Sequence, residues 1–242
     1  MGDPLKQARI DLAAALRAAE ALGFHEGVCN HFSVKAPGAA DRFLVNPFGL
    51  HWREITASRL LLVDAEGRVL EGEGRVEKTA LCIHTALHRS NPRAACVLHT
   101  HMPYATALAM TEGGELLPAG QNALRFYGDI AYDDAYNGLA LDEAEGSRIA
   151  AALGDKRVLF LANHGVIVVG KSVAAAFDDL YYLERAAQAQ VLALSTGLPL
   201  RRVPDKIARR TFQEFTSTDS YAILHFEALK RLLAGADPDY TA

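Results

Sequence analysis

Cysteine is scarce in this chain, and what little there is forms no pattern: Cys29, Cys82 and Cys96 are odd in number and contain no CxxC pair. That excludes a disulfide framework or a cysteine-built zinc site as the organising device and fits a reducing compartment. No apolar run approaches the ~18 residues of a membrane span, and Met1 to Gly23 lacks the charged start and unbroken apolar core of a signal peptide. We therefore expect no membrane association and a cytoplasmic location. Charge of one sign is also missing. The formal net charge is −4, and the basic pairs Arg201-Arg202 and Arg209-Arg210 stand alone, so there is no electropositive field for nucleic acid. Low-complexity segments, repeats and a Gly-rich phosphate loop are absent as well. What remains is a 242-residue chain with half its residues in the hydrophobic class, enough for one substantial core.

The pattern alternates helices and strands. Asp3-Pro4 reads as an N-cap and first helical residue, followed by a stripe of Ile10, Leu12, Ala13, Leu16, Ala19 and Leu22 that ends at Gly23. Short extended runs follow at Phe32 to Lys35 and Arg42 to Val45. Leu60 to Val63 and Arg68 to Glu71 flank Asp64-Ala65-Glu66-Gly67 as a hairpin. Val76 to Ser90 has helical composition, carries Leu81, His84, Leu87 and His88 at helical spacing, and stops at Asn91-Pro92. Ser172 is a plausible N-cap for a long helix with apolar positions from Val173 to Leu194, ended by Gly197 and Pro199.

The chemistry is concentrated in histidine. In Cys96-Val97-Leu98-His99-Thr100-His101, strand alternation puts Val97, His99 and His101 on one face. A second apolar run, Leu159-Phe160-Leu161-Ala162-Asn163-His164-Gly165, ends in a third histidine. Each alone reads as a hydrogen-bonded strand-end residue. Three together suit an open catalytic metal site, in which neutral imidazoles leave coordination positions for substrate.

With these motifs in this order, the chain from about Leu5 to Leu200 resembles the class II aldolase and adducin head-domain family. The segments Gly27 to Val34, Phe43 to Gly49 and Ile55 to Ser58 look most like the adducin-like branch. The resemblance implies an α/β fold, a three-layer α/β/α sandwich around a mainly antiparallel sheet, in one domain spanning residues 1–242 with a C-terminal extension from about 201. It also implies a homotetramer with sites near subunit interfaces, and a divalent metal held by His99, His101 and His164. Zinc is the first expectation, with manganese, iron and cobalt as alternatives.

Departures from the aldolase pattern narrow the expectation. Ala80 stands where sugar-phosphate aldolases carry a catalytic glutamate. Glu77, about one turn earlier or just before the helix begins, is the substitute candidate, able to reach the metal or a water on it; a carboxylate that simply favours the helix dipole is the competing reading. The phosphate-gripping turns hold Val28, Asn30, His31 and Phe48, with Gly49 alone keeping the pattern. Asn30, His31, Phe48 and Gly49 are therefore candidates for binding a non-phosphorylated substrate. Gln121 and Arg125 are further candidates, Arg125 as a bidentate clamp on a carboxylate or else as a salt-bridge residue. The expected activity is a metal-dependent carbon-carbon lyase, of aldolase or decarboxylase type, that works through a metal-stabilised enolate on a small carbonyl or carboxylate compound. A non-haem iron oxygenase and a non-catalytic adducin-like interaction domain are the alternatives.

Overall fold

The computed structural model describes residues 2–39 and 41–242. Helix α1 (Pro4–Ala21) starts as the sequence dictates: the Asp3 side chain accepts from the Leu5 amide, with Pro4 in the first turn. It ends in a Schellman turn, in which the amide of Phe24 donates to the Ala19 carbonyl and that of Gly23 to Glu20. Gly23 sits there at φ 72°, a conformation that glycine adopts without penalty.

Strands β1 (His31–Lys35), β2 (Arg42–Val45), β3 (Leu61–Asp64) and β4 (Val69–Glu71) form an antiparallel meander. Helix α2 (Lys78–Ser90) leads into β5 (Cys96–Thr100), which pairs with β1 and crosses the sheet centre. After α3 (Pro103–Ala109), α4 (Gln121–Leu124), β6 (Ile130–Asp133) and α5 (Glu143–Leu153), the hairpin β7 (Val158–Leu161) and β8 (Gly165–Gly170) returns beside β5. The eight-stranded order is β4-β3-β2-β1-β5-β8-β7-β6. Only β6 and β7 run parallel, so the sheet is mainly antiparallel, as expected.

Alternation of side chains splits the core. Cys96, Leu98, Val166 and Val168 face the long helix α6 (Val173–Leu194) together with α1. Val97, Leu159, Ile167 and Val169 face α2 and α5 with Ile83, Leu87 and Ile149. Helices thus cover both faces, giving the α/β/α sandwich. Each fully buried Leu, Ile or Phe contributes roughly 1.5–3 kcal/mol to holding the layers together. Helices α7 (Asp205–Thr216) and α8 (Ser220–Ala236) continue the chain beyond residue 201, and α8 lies against α1 and α6. Phe226 of α8 packs against Phe177 with tilted rings, centroids 5.9 Å apart, and Arg17 of α1 pairs with Asp237. Among the described residues no helix is long and apolar enough to cross a membrane.

Candidate metal centre

Three histidines meet at one end of the central strands. His99 lies in β5, His101 one residue past its end, and His164 in the loop Ala162-Asn163-His164 that joins β7 to β8. The loop closes because Asn163 takes φ 55°, a left-handed conformation that asparagine tolerates better than most residues, and His164 donates its amide to the Leu161 carbonyl at 3.1 Å. The rings form a near-equilateral triangle, with centroids 5.1 Å apart for His99 and His101, 4.8 Å for His99 and His164, and 4.9 Å for His101 and His164. One nitrogen from each lies within 4.8 Å of the others.

The protonation chemistry suits a cation. Burial pushes the His99 imidazole well below its ordinary range and that of His164 down to about 4. His101 also shifts down through burial, partly offset by the Glu26 carboxylate. Neutral imidazole is the form that binds metal. The Nδ1–H of His99 donates to the Val166 carbonyl at 3.0 Å, which leaves Nε2 as the ligand atom, the second contact usual for a metal-binding histidine. The Nε2 of His101 is buried with no hydrogen-bond partner among the described residues. A buried, unpaired nitrogen costs about 1–3 kcal/mol, and a metal ion at this point removes that cost. The donor set therefore fits a divalent metal.

A second group, Glu20, His25 and His51, also has ligand atoms within 4.8 Å. Here the His51 Nδ1 accepts the Arg53 amide at 3.3 Å, leaving the ring proton on Nε2, the reverse of what a ligand histidine needs. It is the poorer donor set.

Gly165 holds the centre's geometry. A Cβ at this position would lie 2.6 Å from the Thr100 carbonyl oxygen and 2.7 Å from the His101 Cδ2. Gly165→Ala is expected to push His101 off its position and to lower metal affinity ~10–100-fold while the secondary structure stays. Competition with a chromophoric chelator, alongside circular dichroism, measures both.

His31 stands beside the triad. It pairs with His99 across β1 and β5, and their ring centroids are 4.9 Å apart. Behind it, burial places His84 and His88 of α2 in hydrogen bonds with Ser33, contacts that helical spacing alone did not reveal. A neutral set of this kind makes stability depend on pH. Burial lowers His84 well below its usual value and His88 to about 4, whereas in the unfolded chain both take up protons below about 6.5. The unfolded state then binds more protons, so stability is full above 6.5 and falls as the pH drops toward 4. His88 alone supplies a slope of up to ~1.4 kcal/mol per pH unit in that window. Urea midpoints measured between about pH 7 and about pH 4 are expected to drop steeply, and a flat profile would contradict the neutral buried set.

The other candidates separate. Glu77 occupies the N-cap position of α2 without capping it, half-buried, and burial raises its carboxyl. It is not among the cluster's grouped ligand atoms, which are those of the three histidines. Asn30, at φ 72°, is committed to structure: its Oδ1 accepts the His101 amide at 3.4 Å and its carbonyl accepts from Asn46 Nδ2 at 3.4 Å. Phe48 lies under the Arg75 guanidinium at 5.2 Å, and Gly49 follows at φ 94°.

Gln121 and Arg125 are not brought to the histidines. Gln121 lines a cavity of about 380 Å³ between α4 and α6. Arg125 is paired with Asp178 of α6 and lies between the rings of Tyr182, at 3.9 Å, and Phe215, at 4.8 Å. The cavities these two residues line include none of the three histidines. Of the two expectations for Arg125, carboxylate clamp or salt-bridge residue, the structure shows the ion pair: its Nη2 donates to Asp178, while its buried Nε has no hydrogen-bond partner among the described residues. Tyr132 lies in β6, where its hydroxyl accepts the Leu116 amide at 3.0 Å and burial lifts its pKa to about 12.

Known proteins resemble this chain in sequence and fold. The family model described as Class II Aldolase and Adducin N-terminal domain matches residues 10–191. A Pseudomonas aeruginosa protein whose name assigns it to aldolase class 2 is 39% identical over 202 residues, covering 83% of this chain and 77% of that one. The decarboxylase NovR of Streptomyces niveus is 34% identical over 233 residues, 94% of this chain and 84% of its own. The crystal structure of an aldolase II superfamily protein from Pseudomonas syringae superposes with a TM-score of 0.92 at 34% identity, covering 100% of this chain and 98% of that chain. The chain belongs to the class II aldolase and adducin N-terminal domain family.

Proposed function

We propose that this protein is a metal-dependent carbon-carbon lyase, of aldolase or decarboxylase type, acting on a small non-phosphorylated carbonyl or carboxylate compound. The observation that carries the reading is the convergence of His99, His101 and His164 as neutral imidazoles, with the His101 Nε2 buried and unpaired. A divalent metal held by these three supplies Lewis-acid stabilisation of negative charge that develops on a carbonyl oxygen when a neighbouring carbon-carbon bond breaks. Around it, the Asn30 side chain holds the His101 backbone, and His31 and Glu77 are the groups with which protons are exchanged. Similarity to a protein named as a decarboxylase supports the lyase class.

Zinc suits an all-imidazole set better than magnesium or calcium, which prefer oxygen ligands. The runner-up, a non-haem iron oxygenase, uses two histidines and a carboxylate, and the cluster contains no carboxylate within 4.8 Å. An adducin-like binding role remains the other class. A homotetramer is the assembly the resemblance implies, and Leu198, Leu224 and Leu232, each at least 66% exposed, supply apolar surface for partner subunits to cover.

The test is a screen of small keto and aromatic carboxylates under argon with the zinc-, manganese-, cobalt- and iron-loaded protein. Release of an aldehyde, ketone or carbon dioxide that stops on chelation and returns with metal is the expected result. Turnover that needs oxygen would transfer the protein to the oxygenase class, and failure to retain any metal would leave the binding-domain reading.

A further inference from the structure

A line of buried hydrogen bonds runs from the backbone before β5 to the edge of the histidine triad. The His88 Nδ1 lies 2.7 Å from the Ala94 carbonyl oxygen, its Nε2 2.7 Å from the Ser33 hydroxyl, that hydroxyl 2.5 Å from the His84 Nδ1, and the His84 Nε2 2.7 Å from the His31 Nδ1. All four side chains are at most 7% exposed.

The direction of every bond follows from the first. A carbonyl oxygen only accepts, so the His88 Nδ1 carries the proton. Burial keeps this ring neutral, so its Nε2 is bare and accepts from Ser33. The hydroxyl has given away its one proton, and its oxygen must therefore accept from the His84 Nδ1–H. His84, neutral for the same reason, offers a bare Nε2 to the Nδ1–H of His31. His31 is then left with an unprotonated Nε2. Its partner is the Thr79 hydroxyl at 3.5 Å, the long limit of a hydrogen bond, so this lone pair is close to free. The reverse polarity fails at its first link, because Ala94 has no proton to donate through its oxygen.

We infer that His31 is the hydrogen-bond acceptor of the site, its Nε2 offered to a substrate hydroxyl beside the metal histidines, and that Ser33, His84 and His88 are positioning residues that hold it in the Nδ1–H tautomer. The placement of His31 against His99 supplies the proximity, and the backbone carbonyl supplies the fixed end of the chain. An acceptor held in one tautomer needs no reorganisation when the substrate arrives, which is how contacts behind a site raise its effectiveness. Only the identity of the group that His31 accepts from rests on the lyase reading.

The experiment is nitrogen-15 NMR of histidine-labelled protein at neutral pH, as purified and again after chelator treatment, reading the tautomer of each ring from its long-range proton correlations. His31, His84 and His88 are expected in the Nδ1–H form, against the Nε2–H form that prevails for histidine in water. In Ser33→Ala the link breaks: His88 keeps its Nδ1–H, while His84 and His31 shift toward Nε2–H, and Ser33→Thr restores the original pattern. Turnover in Ser33→Ala is expected to fall ~10–100-fold in kcat with metal content unchanged. An Nε2–H His31 in the wild type overturns the inference even where the variants do not fold. A His31 tautomer unaltered by Ser33→Ala overturns the positioning role. The tautomer pattern stands or falls whether or not the protein proves to be a lyase.

Discussion

The double variant His99→Ala/His101→Ala is expected to purify without bound metal and to lose at least about three decades of turnover. Lewis-acid stabilisation is worth several kcal/mol, and each 1.36 kcal/mol is tenfold in rate, so removing ~4 kcal/mol gives roughly a thousandfold. Folding is the competing explanation. His99 is 2% exposed, and its loss strands the Val166 carbonyl it now satisfies, a cost of about 1–3 kcal/mol. The His164→Ala variant separates the two effects, because His164 sits in a loop, is only partly buried, and its ring nitrogens make no hydrogen bond within the described residues, while the backbone bond of its amide to Leu161 survives the substitution. It is expected to lose metal and activity as the double variant does, with a smaller drop in thermal midpoint. Elemental analysis per chain beside the unfolding curves decides the matter. Full metal occupancy in the double variant would place the ion elsewhere and remove the ground for the lyase reading.

The parts of this site that are local in sequence were legible there. The HxH strand, the Asn163-His164-Gly165 loop, the capped first helix and the long helix after Ser172 each carry their own signal within a few residues. The parts that depend on register were not. His84 and His88 are one helical turn apart and look like members of an apolar stripe until β1 is placed beside β5, which sets His31 opposite His99 and Ser33 opposite Val97 on the face that α2 covers. Likewise the sequence shows an arginine at 125 with a clamp's chemistry. Its partner Asp178 lies on a helix that begins 48 residues later, and no local pattern announces that pairing. Strand β6, at the sheet edge, mostly half-buried and followed by Asp134-Ala135, lacks the apolar alternation that marks its neighbours, so it carries no strand signal of its own.

Glu77 is the residue for which sequence left two roles open, and the structure sharpens the contest. A carboxylate at a helix N-terminus is stabilised in its charged form by about 0.3–1 kcal/mol, which lowers its pKa. Burial works in the opposite direction, and here it prevails, since the carboxyl is raised from its ordinary value. Glu77 also fails to bond the amides it is placed to cap. Its polar neighbour is the Thr79 hydroxyl, which lies between it and the His31 Nε2. A raised, half-buried carboxyl next to a site is suited to taking up and returning a proton. Glu77→Gln keeps the shape and removes that capacity, and it is expected to lower kcat by ~10²–10⁴-fold. KM and metal content are expected to hold, because the carboxylate is not one of the grouped ligand atoms. The pH profile adds a second readout: the limb set by the Glu77 carboxyl, lying above the ordinary glutamate range, should vanish in the variant. Retained turnover with an unchanged profile would leave Glu77 as a helix-end charge. The proton would then have to be handled by His31 alone, whose bare Nε2 is the other acceptor at this end of the sheet.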